Sequence, residues 1–193
     1  MHYSKILLLM LLGSSGAFSA YAEEHRQHGA HEHGGGQLNV AVEQNRLMIE
    51  LSLPAMNVVG FEHAAKNQTE KEQLAQAVTL LKDGASLMVP STDAECKLLT
   101  ATVESALLDD EHGHDESGAE NTDDHEHHHD AAEHADFDVS YEFDCKQAAK
   151  LDRLTLSLFK QFPGTQHLET QLITEMRQGG AELTAESNIL NLK

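Results

Sequence analysis

The sequence predicts an α+β fold that is mainly antiparallel β-sheet, with one short helix and a disordered insert rich in His, Asp and Glu. Several segments alternate apolar and polar residues with the period of two that half-buried strands require. One segment repeats apolar residues at helical spacing after a start signal. Residues 109–134 contain eleven acidic residues, seven His and no Lys or Arg. They have almost nothing to bury, so we expect a disordered loop inside one domain.

The first two strands are predicted over Gln37–Glu43 and Leu47–Leu53, where apolar residues fall at every second position. If Gln44-Asn45 forms a two-residue turn, the apolar residues of both strands face each other, so the register supports itself. Pro54 then ends the hairpin. The paired residues are Val42 with Leu47, Val40 with Ile49, and Leu38 with Leu51.

A helix follows the hairpin. Thr69-Glu70-Lys71-Glu72 has the form of a capping box. Leu74, Val78 and Leu81 follow at helical spacing, and Asp83-Gly84 is a stop signal. The later segments look extended. We predict strands at Leu98–Glu104, Phe137–Phe143 and Leu154–Leu158, and two more on either side of Gly179-Gly180.

Charge excludes one broad class of function. The 193 residues include 13 Lys and Arg, 32 Asp and Glu, and 14 His, for a formal net charge of −19. Binding to nucleic acid or to anionic lipid requires clustered basic residues, so neither is expected. Two Cys are too few for a disulfide-rich scaffold, whereas 40% hydrophobic residues can form a real core.

The first residues have the features of a secretory signal. Lys5 precedes the apolar run Ile6–Leu12, which is shorter than the roughly 20 residues that span a bilayer. Ala20-Tyr21-Ala22 supplies the small residues of a cleavage site; a short membrane anchor is the alternative. We therefore divide the chain into a signal peptide (1–22), a His/Gly-rich tail (23–36) and a single metal-binding domain (37–193), interrupted by the loop 109–134. No membrane insertion is expected after the signal is removed.

Export favours a disulfide between Cys96 and Cys145, because the compartment is oxidising. A simple hairpin that pairs these two residues fits the surrounding pattern only in part. Either a bulge shifts the register, or the two strands are not neighbours. A pair of zinc thiolates is the alternative, but the two Cys lack the close spacing of zinc ligands.

Most of the histidines fall in two patches, one in the tail and one in the insert. Neutral imidazole is a common ligand for zinc and also suits copper and nickel. The neighbouring carboxylates add oxygen ligands and attract cations. The alternative is a solvated acidic loop whose His are incidental. The candidate ligands are His25, His28, His31 and His33 in the tail, and His112, His114, His125, His127, His128, His129 and His134 in the insert.

A more ordered zinc site is predicted at one end of the sheet. Extending the hairpin register places His33 near Met56, a few residues before Glu62-His63. Two or three imidazoles with a carboxylate would form a tetrahedral site there. The alternative for His63 is an ordinary surface histidine, which is also the default for His167.

The start of the mature chain offers a different metal site. Cleavage after Ala22 would expose Glu23-Glu24-His25. A free amine, two deprotonated amides and an imidazole form the square-planar set that suits Cu(II) or Ni(II). No catalytic constellation is found: H-E-x-x-H, G-x-S-x-G and phosphate-binding glycine loops are absent from the sequence. We therefore expect no enzyme.

Five motifs in this order resemble one known family, the ZrgA family of zinc-regulated periplasmic zinc-binding proteins. They are H-E-H-G-G-G-Q-L-N-V-A-V (His31–Val42), P-A-M-N-V-V-G-F-E-H (Pro54–His63), H-A-D-F (His134–Phe137) after a His-rich insert, L-F-K-Q-F-P-G (Leu158–Gly164) and G-A-E-L-T (Gly180–Thr184). The chain departs from the family at Ala64-Ala65, where many relatives have a proline.

The resemblance implies a periplasmic protein that is made under zinc limitation, binds several zinc ions and helps to supply an ABC-type zinc importer. By position, it implies metal ligation by the tail histidines, Glu62-His63 and the insert. The expected partners are zinc ions and the importer or its binding protein. The alternatives are a copper or nickel buffer that uses the Glu-Glu-His start, and a β-rich interaction domain with an accessory His loop.

Overall fold

A computed structural model describes residues 34–111 and 135–193. It confirms an α+β fold made mostly of antiparallel sheet. The strands are β1 (Gln37–Glu43), β2 (Arg46–Pro54), β3 (Met88–Pro90), β4 (Cys96–Glu104), β5 (Asp136–Cys145), β6 (Arg153–Leu156), β7 (His167–Thr174), β8 (Gln178–Thr184) and β9 (Ile189–Asn191). The helices are α1 (Ala55–Val58), α2 (Gln68–Lys82), α3 (Gly84–Leu87) and α4 (Leu158–Gln161), with 3₁₀ turns at Thr92–Ala94, Ala106–Glu111 and Ala148–Lys150.

The strands form two sheets. The larger has the order β4-β5-β2-β1-β7-β8, and the smaller has the order β3-β6-β9. All pairs are antiparallel except β1 with β7, which lie side by side in parallel. A parallel pair needs a long crossover connection, and more than a hundred residues separate these two strands. None of the helices in the described parts of the chain could cross a bilayer.

The first hairpin is confirmed in full. The turn is Gln44-Asn45, and Val40 lies opposite Ile49 in the predicted register. The apolar members of β1, β2, β5 and β7 point to one face of the large sheet, where they are buried against α2, α3 and the smaller sheet. The other face carries polar residues and is exposed. We call it the outer face.

The link between the two cysteines resolves the open question about β4 and β5. They are direct neighbours, joined by the Cys96–Cys145 disulfide, and the register shifts by one residue between Leu98 and Thr100. The extra residue, Leu99, forms a bulge. Beyond it Ala101 and Val103 join the inner face, which explains why a simple hairpin fitted the pattern only in part.

Three local predictions were wrong. Helix α2 begins two residues earlier than predicted, because Asn67 and not Thr69 caps it by accepting a hydrogen bond from the Glu70 amide. The glycines at 179 and 180 lie inside β8, and the turn before that strand is residues 175–177. Strand β6 ends at Leu156, and Leu158 begins α4. Three one-turn helices also accompany α2, where one helix was expected.

Helix α2 is attached to the sheet through Tyr141. The Tyr141 hydroxyl donates a 2.6 Å hydrogen bond to the carbonyl of Leu81. Gly84 lies against the ring: a Cβ there would be only 2.4 Å from Tyr141 Cδ1, so the contact requires glycine. Burial, aided by the charge of Asp83, raises the pKa of Tyr141 well above its ordinary value of 10.0.

We predict that this tyrosine makes stability fall at high pH. The pKa of Tyr141 is raised in the folded state, so the protonated hydroxyl contributes fully to the free energy of unfolding below pH 10. This contribution is lost as the pH rises from the tyrosine pKa of the unfolded chain towards that of the folded chain. In a chain that starts at residue 23, Tyr141 is the only tyrosine, and the sequence has no Trp. Tyrosinate absorbance therefore reports on this residue alone.

The absorbance should appear well above pH 10 in the folded chain and near pH 10 in urea. Tyr141→Phe should lower the free energy of unfolding by about 1–2 kcal/mol at neutral pH, because the Leu81 carbonyl loses its buried donor. It should also remove this part of the alkaline dependence. A folded-state titration near the ordinary tyrosine pKa would contradict the prediction.

A second prediction concerns the disulfide. Replacing both Cys96 and Cys145 with Ser should lower the free energy of unfolding in urea by about 2–4 kcal/mol, because the bond closes a loop across a separation of 49 residues. Reduction of the unmodified chain is the control and should give a similar loss. An unchanged free energy of unfolding in the double variant would contradict the prediction.

Candidate functional site

The end of the large sheet that carries α1 is organised by the side chain of Asn57. This residue is only 6% exposed. Its Oδ1 accepts a 3.0 Å hydrogen bond from the Gly34 amide, and its Nδ2 donates a 2.8 Å bond to the Gly35 carbonyl. The side-chain amide of Asn57 therefore fixes the chain just before β1 through two hydrogen bonds, one that it accepts and one that it donates.

The loop before β7 holds the same segment from the other side. The amides of Gln166 and His167 donate to the Gly34 carbonyl at 2.7 and 3.1 Å. Gly164 lies directly on Asn57: a Cβ at this position would be 2.5 Å from the Asn57 carbonyl oxygen. The F-P-G sequence thus provides the close approach that brings this loop to the Asn57 end of the sheet.

The residues that follow the His-rich insert are hydrogen-bonded to α1. The Ala55 amide, in the first turn of α1, donates a 2.8 Å hydrogen bond to the Ala135 carbonyl. Pro54 lies opposite Asp136 at the start of β5. Helix α1 is therefore bound both to the residues that follow the tail and to the residues that follow the insert.

Glu62 and His63 come shortly after α1, past a turn at Gly60 with φ +82°. Phe61 is buried and anchors the segment, and the His63 ring stacks on it with centroids 5.2 Å apart. Glu62 is half-buried and is held in an interaction, whereas His63 is exposed. The segment is thus fixed by Phe61 while the His63 imidazole faces solvent.

The hydrogen bond of His63 sets its chemistry. Its Nδ1 lies 2.9 Å from the carbonyl oxygen of Ala64. A carbonyl can only accept, so Nδ1 carries the hydrogen, and in the neutral ring Nε2 keeps its lone pair. Metal-bound histidines have this arrangement: one ring nitrogen donates to a carbonyl and the other binds the ion.

The other predicted ligands lie outside the described residues, so they stay predictions. They are His25, His28, His31, His33, His112, His114, His125, His127, His128, His129 and His134. The Glu23-Glu24-His25 set for copper or nickel lies there too. Within residues 34–111 and 135–193, no three His, Cys, Asp or Glu side chains are grouped closely enough to hold a metal ion.

Sequence reasoning missed Asn57, although its motif was noticed. An amide side chain between apolar residues is typical of a helix cap or a surface position, and its partners, the backbone groups of Gly34 and Gly35, have no side chain to indicate the contact. The three consecutive glycines before β1 were the available signal, because they allow a close approach of another residue.

A family model described as ZrgA family zinc uptake protein matches residues 30–192. A search of curated proteins gave no match.

We predict that Asn57→Ala releases the start of β1. It leaves the Gly34 amide and the Gly35 carbonyl without partners, so the free energy of unfolding should fall by about 2–3 kcal/mol. Hydrogen exchange at the Gly34 amide should become much faster. Asn188→Ala is the matched control, because Asn188 also donates to a backbone carbonyl, that of Leu156, in the other sheet. Unchanged exchange at Gly34 in Asn57→Ala would contradict the prediction.

Proposed function

Since the chain belongs to the ZrgA family of zinc uptake proteins, we propose that it is a periplasmic zinc-binding protein. It captures, buffers or delivers Zn²⁺ for uptake through an ABC-type importer. The observation that carries the proposal is the meeting of two chain segments, the start of β1 and the start of β5, at α1, which is followed shortly along the chain by Glu62-His63.

The described residues that border the two histidine-rich regions, Gly34 and Ala135, both lie at the α1 end of the sheet. Consecutive Cα atoms are about 3.8 Å apart, so His33 is tied to Gly34 beside Asn57, and His134 is tied to Ala135 beside Ala55. In this proposal, His31 or His33 joins His63, whose Nε2 lone pair is available, as a ligand of the same ion. With Glu62 as a carboxylate neighbour, these residues have the donor types that tetrahedral zinc prefers.

The insert would serve as a collector for further ions. Seven imidazoles and eleven carboxylates within residues 109–134 raise the local concentration of cations. Ordering such a segment around an ion costs conformational entropy, so its sites should bind more weakly than the one beside His63. Two classes of zinc affinity follow from this division.

Calorimetry on the mature chain tests the division. His63→Ala should weaken the tightest zinc by about 100-fold or more, since losing even an outer partner of a ligand costs roughly 10–100-fold. His167→Ala is the matched control, because His167 is the other histidine in the described residues, and it should leave that zinc in place. Deletion of residues 109–134 should remove the weaker ions and keep the tight one.

Protons should compete with zinc. Free imidazole has a pKa of about 6.5, so zinc should be released as pH falls through about 6–7. Unchanged zinc occupancy at pH 5 would contradict ligation by histidine. Unchanged stoichiometry after both the deletion and a combined His31, His33 and His63 change to Ala would end the proposal. If copper stays bound at pH 5 while zinc does not, the metal assignment moves to copper.

Location has its own test. The proposal expects the protein in the periplasmic fraction, with Glu23 as its first residue. Recovery from the cytoplasm with residues 1–22 attached would contradict the proposed compartment, whatever the result of the zinc titration.

A further inference from the structure

Among the described residues, most side chains on the outer face of the large sheet are exposed, except at the α1 end, where Pro54 is buried and Asp136 is partly buried. The composition of this face differs from that of an ordinary solvated surface. Strands lie about 4.8 Å apart and rise about 3.4 Å per residue, so the face of six strands measures roughly 24 Å by 24 Å. This area approaches the roughly 800 Å² that one partner contributes to a standard protein interface.

Large apolar side chains are concentrated in one row across this face. Leu99, Met48 and Ile173 are 45%, 37% and 56% exposed, and Ala41 lies between the last two. The register places Met48 opposite Ala41 and Ala41 opposite Ile173, so they adjoin on three neighbouring strands. We call Leu99, Met48, Ala41 and Ile173 the apolar row.

The apolar row is interrupted by a single charged residue, Glu142, which forms an ion pair with Arg46. Glu142 lies opposite Met48 and opposite Thr100, beside Leu99. Its Oε1 accepts a 2.7 Å hydrogen bond from Arg46 Nη1. The bulge at Leu99 adds to the row, because it turns an additional leucine outward on the edge strand.

Acidic residues lie around the apolar row, and one of them, Glu142, lies within it. Among the outward positions of the six strands, nine are acidic and only two are basic, Arg46 and Lys97. Some of the acids lie directly opposite each other, as Glu169 and Glu182 do on β7 and β8. Like charges in this arrangement destabilise a sheet, so the pattern opposes folding and needs another reason. The nine are Glu43, Glu50, Glu104, Asp136, Asp138, Glu142, Asp144, Glu169 and Glu182.

We propose that the outer face is a docking surface for a partner protein that presents a small apolar contact surrounded by Lys and Arg. The charge of the face selects this occupant. A second copy of the chain would bring nine acids against nine acids, which is repulsive. Residues 109–134 hold eleven acids and no base, and residues 23–36 are also net acidic, so neither segment is a suitable cover.

The proposed surface is separate from the proposed zinc site. Ala41 is four residues along β1 from Gln37, about 14 Å at the rise of a strand, and Gly34 lies three residues before that strand begins. A partner on the apolar row would therefore leave the α1 end of the sheet open. The inference does not rest on zinc binding, and the two can fail separately.

Site-specific photocross-linking in the native host tests the surface on the full chain. A photoreactive phenylalanine analogue is placed at Ile173 and, as the matched control, at Ile189, which is 49% exposed on the smaller sheet. Position 173 should give one discrete adduct with a different protein, mapped to a surface lined by Lys and Arg. Position 189 should not give it.

Charge reversal supplies the second arm. Glu50→Lys, on the outer face, should reduce the adduct about tenfold, because it places a positive charge against the Lys and Arg residues of the partner. Glu72→Lys, on the exposed side of α2, is its control and should not reduce it. The zinc stoichiometry of all these variants should match that of the unmodified chain.

Several results would overturn the proposal. An adduct of twice the chain's mass, or an adduct within the chain to residues 23–36 or 109–134, would identify a different occupant. No adduct from position 173, or equal adducts from positions 173 and 189, would show that the outer face is not the docking surface. A partner surface without basic residues, or an adduct that Glu50→Lys leaves unchanged, would contradict the role of charge. Loss of zinc binding in His63→Ala with the adduct intact would leave this surface standing. Loss of the adduct with zinc binding intact would count against the surface alone.

Discussion

The burial of one face of the six-stranded sheet is the constraint on which the rest of the structure depends. Successive side chains in a strand point to opposite faces, so once Leu38, Val40 and their neighbours are buried, every intervening residue must face outward. The same alternation that forms the core therefore displays the acids and the apolar row on the other side. The bulge at Leu99 keeps this alternation in register where the sequence of β4 would otherwise lose it.

The sequence predicted the parts of the fold that depend on neighbours along the chain. The first hairpin could be read in full because a two-residue turn links two alternating strands. The parallel pairing of β1 with β7 could not, because no local signal connects strands that are so distant in sequence. The helix start was misplaced because two capping boxes compete: Asn67 and Thr69 each have a Glu three residues later. The structure uses the earlier one, in which Asn67 accepts a hydrogen bond from the Glu70 amide.

The position of the chain just before β1 could be anticipated from the hairpin register, whereas the contacts that hold it there could not. Extending the hairpin register indicated that the tail and Glu62-His63 share one end of the sheet, and the bonds from Gly34 to Asn57 agree with that location. The residue that fixes the segment is an amide with backbone partners, which no motif of metal ligands reveals. The tautomer of His63 was equally hidden, since it depends on the carbonyl of Ala64 and not on a side chain.

The acidity of the chain has two locations with different consequences. Eleven of the 32 acidic residues lie in the insert, among the imidazoles, where they attract cations. Nine more lie on the outer face, spread over six strands, where the register holds them at fixed spacing. The register holds charges on a sheet in fixed relative positions, so the acids of the outer face are suited to a rigid partner surface. The net charge of −19 therefore has two main sources, the acidic insert and the ordered acidic face of the sheet. Only the strand register shows that the acids of the second group share one face.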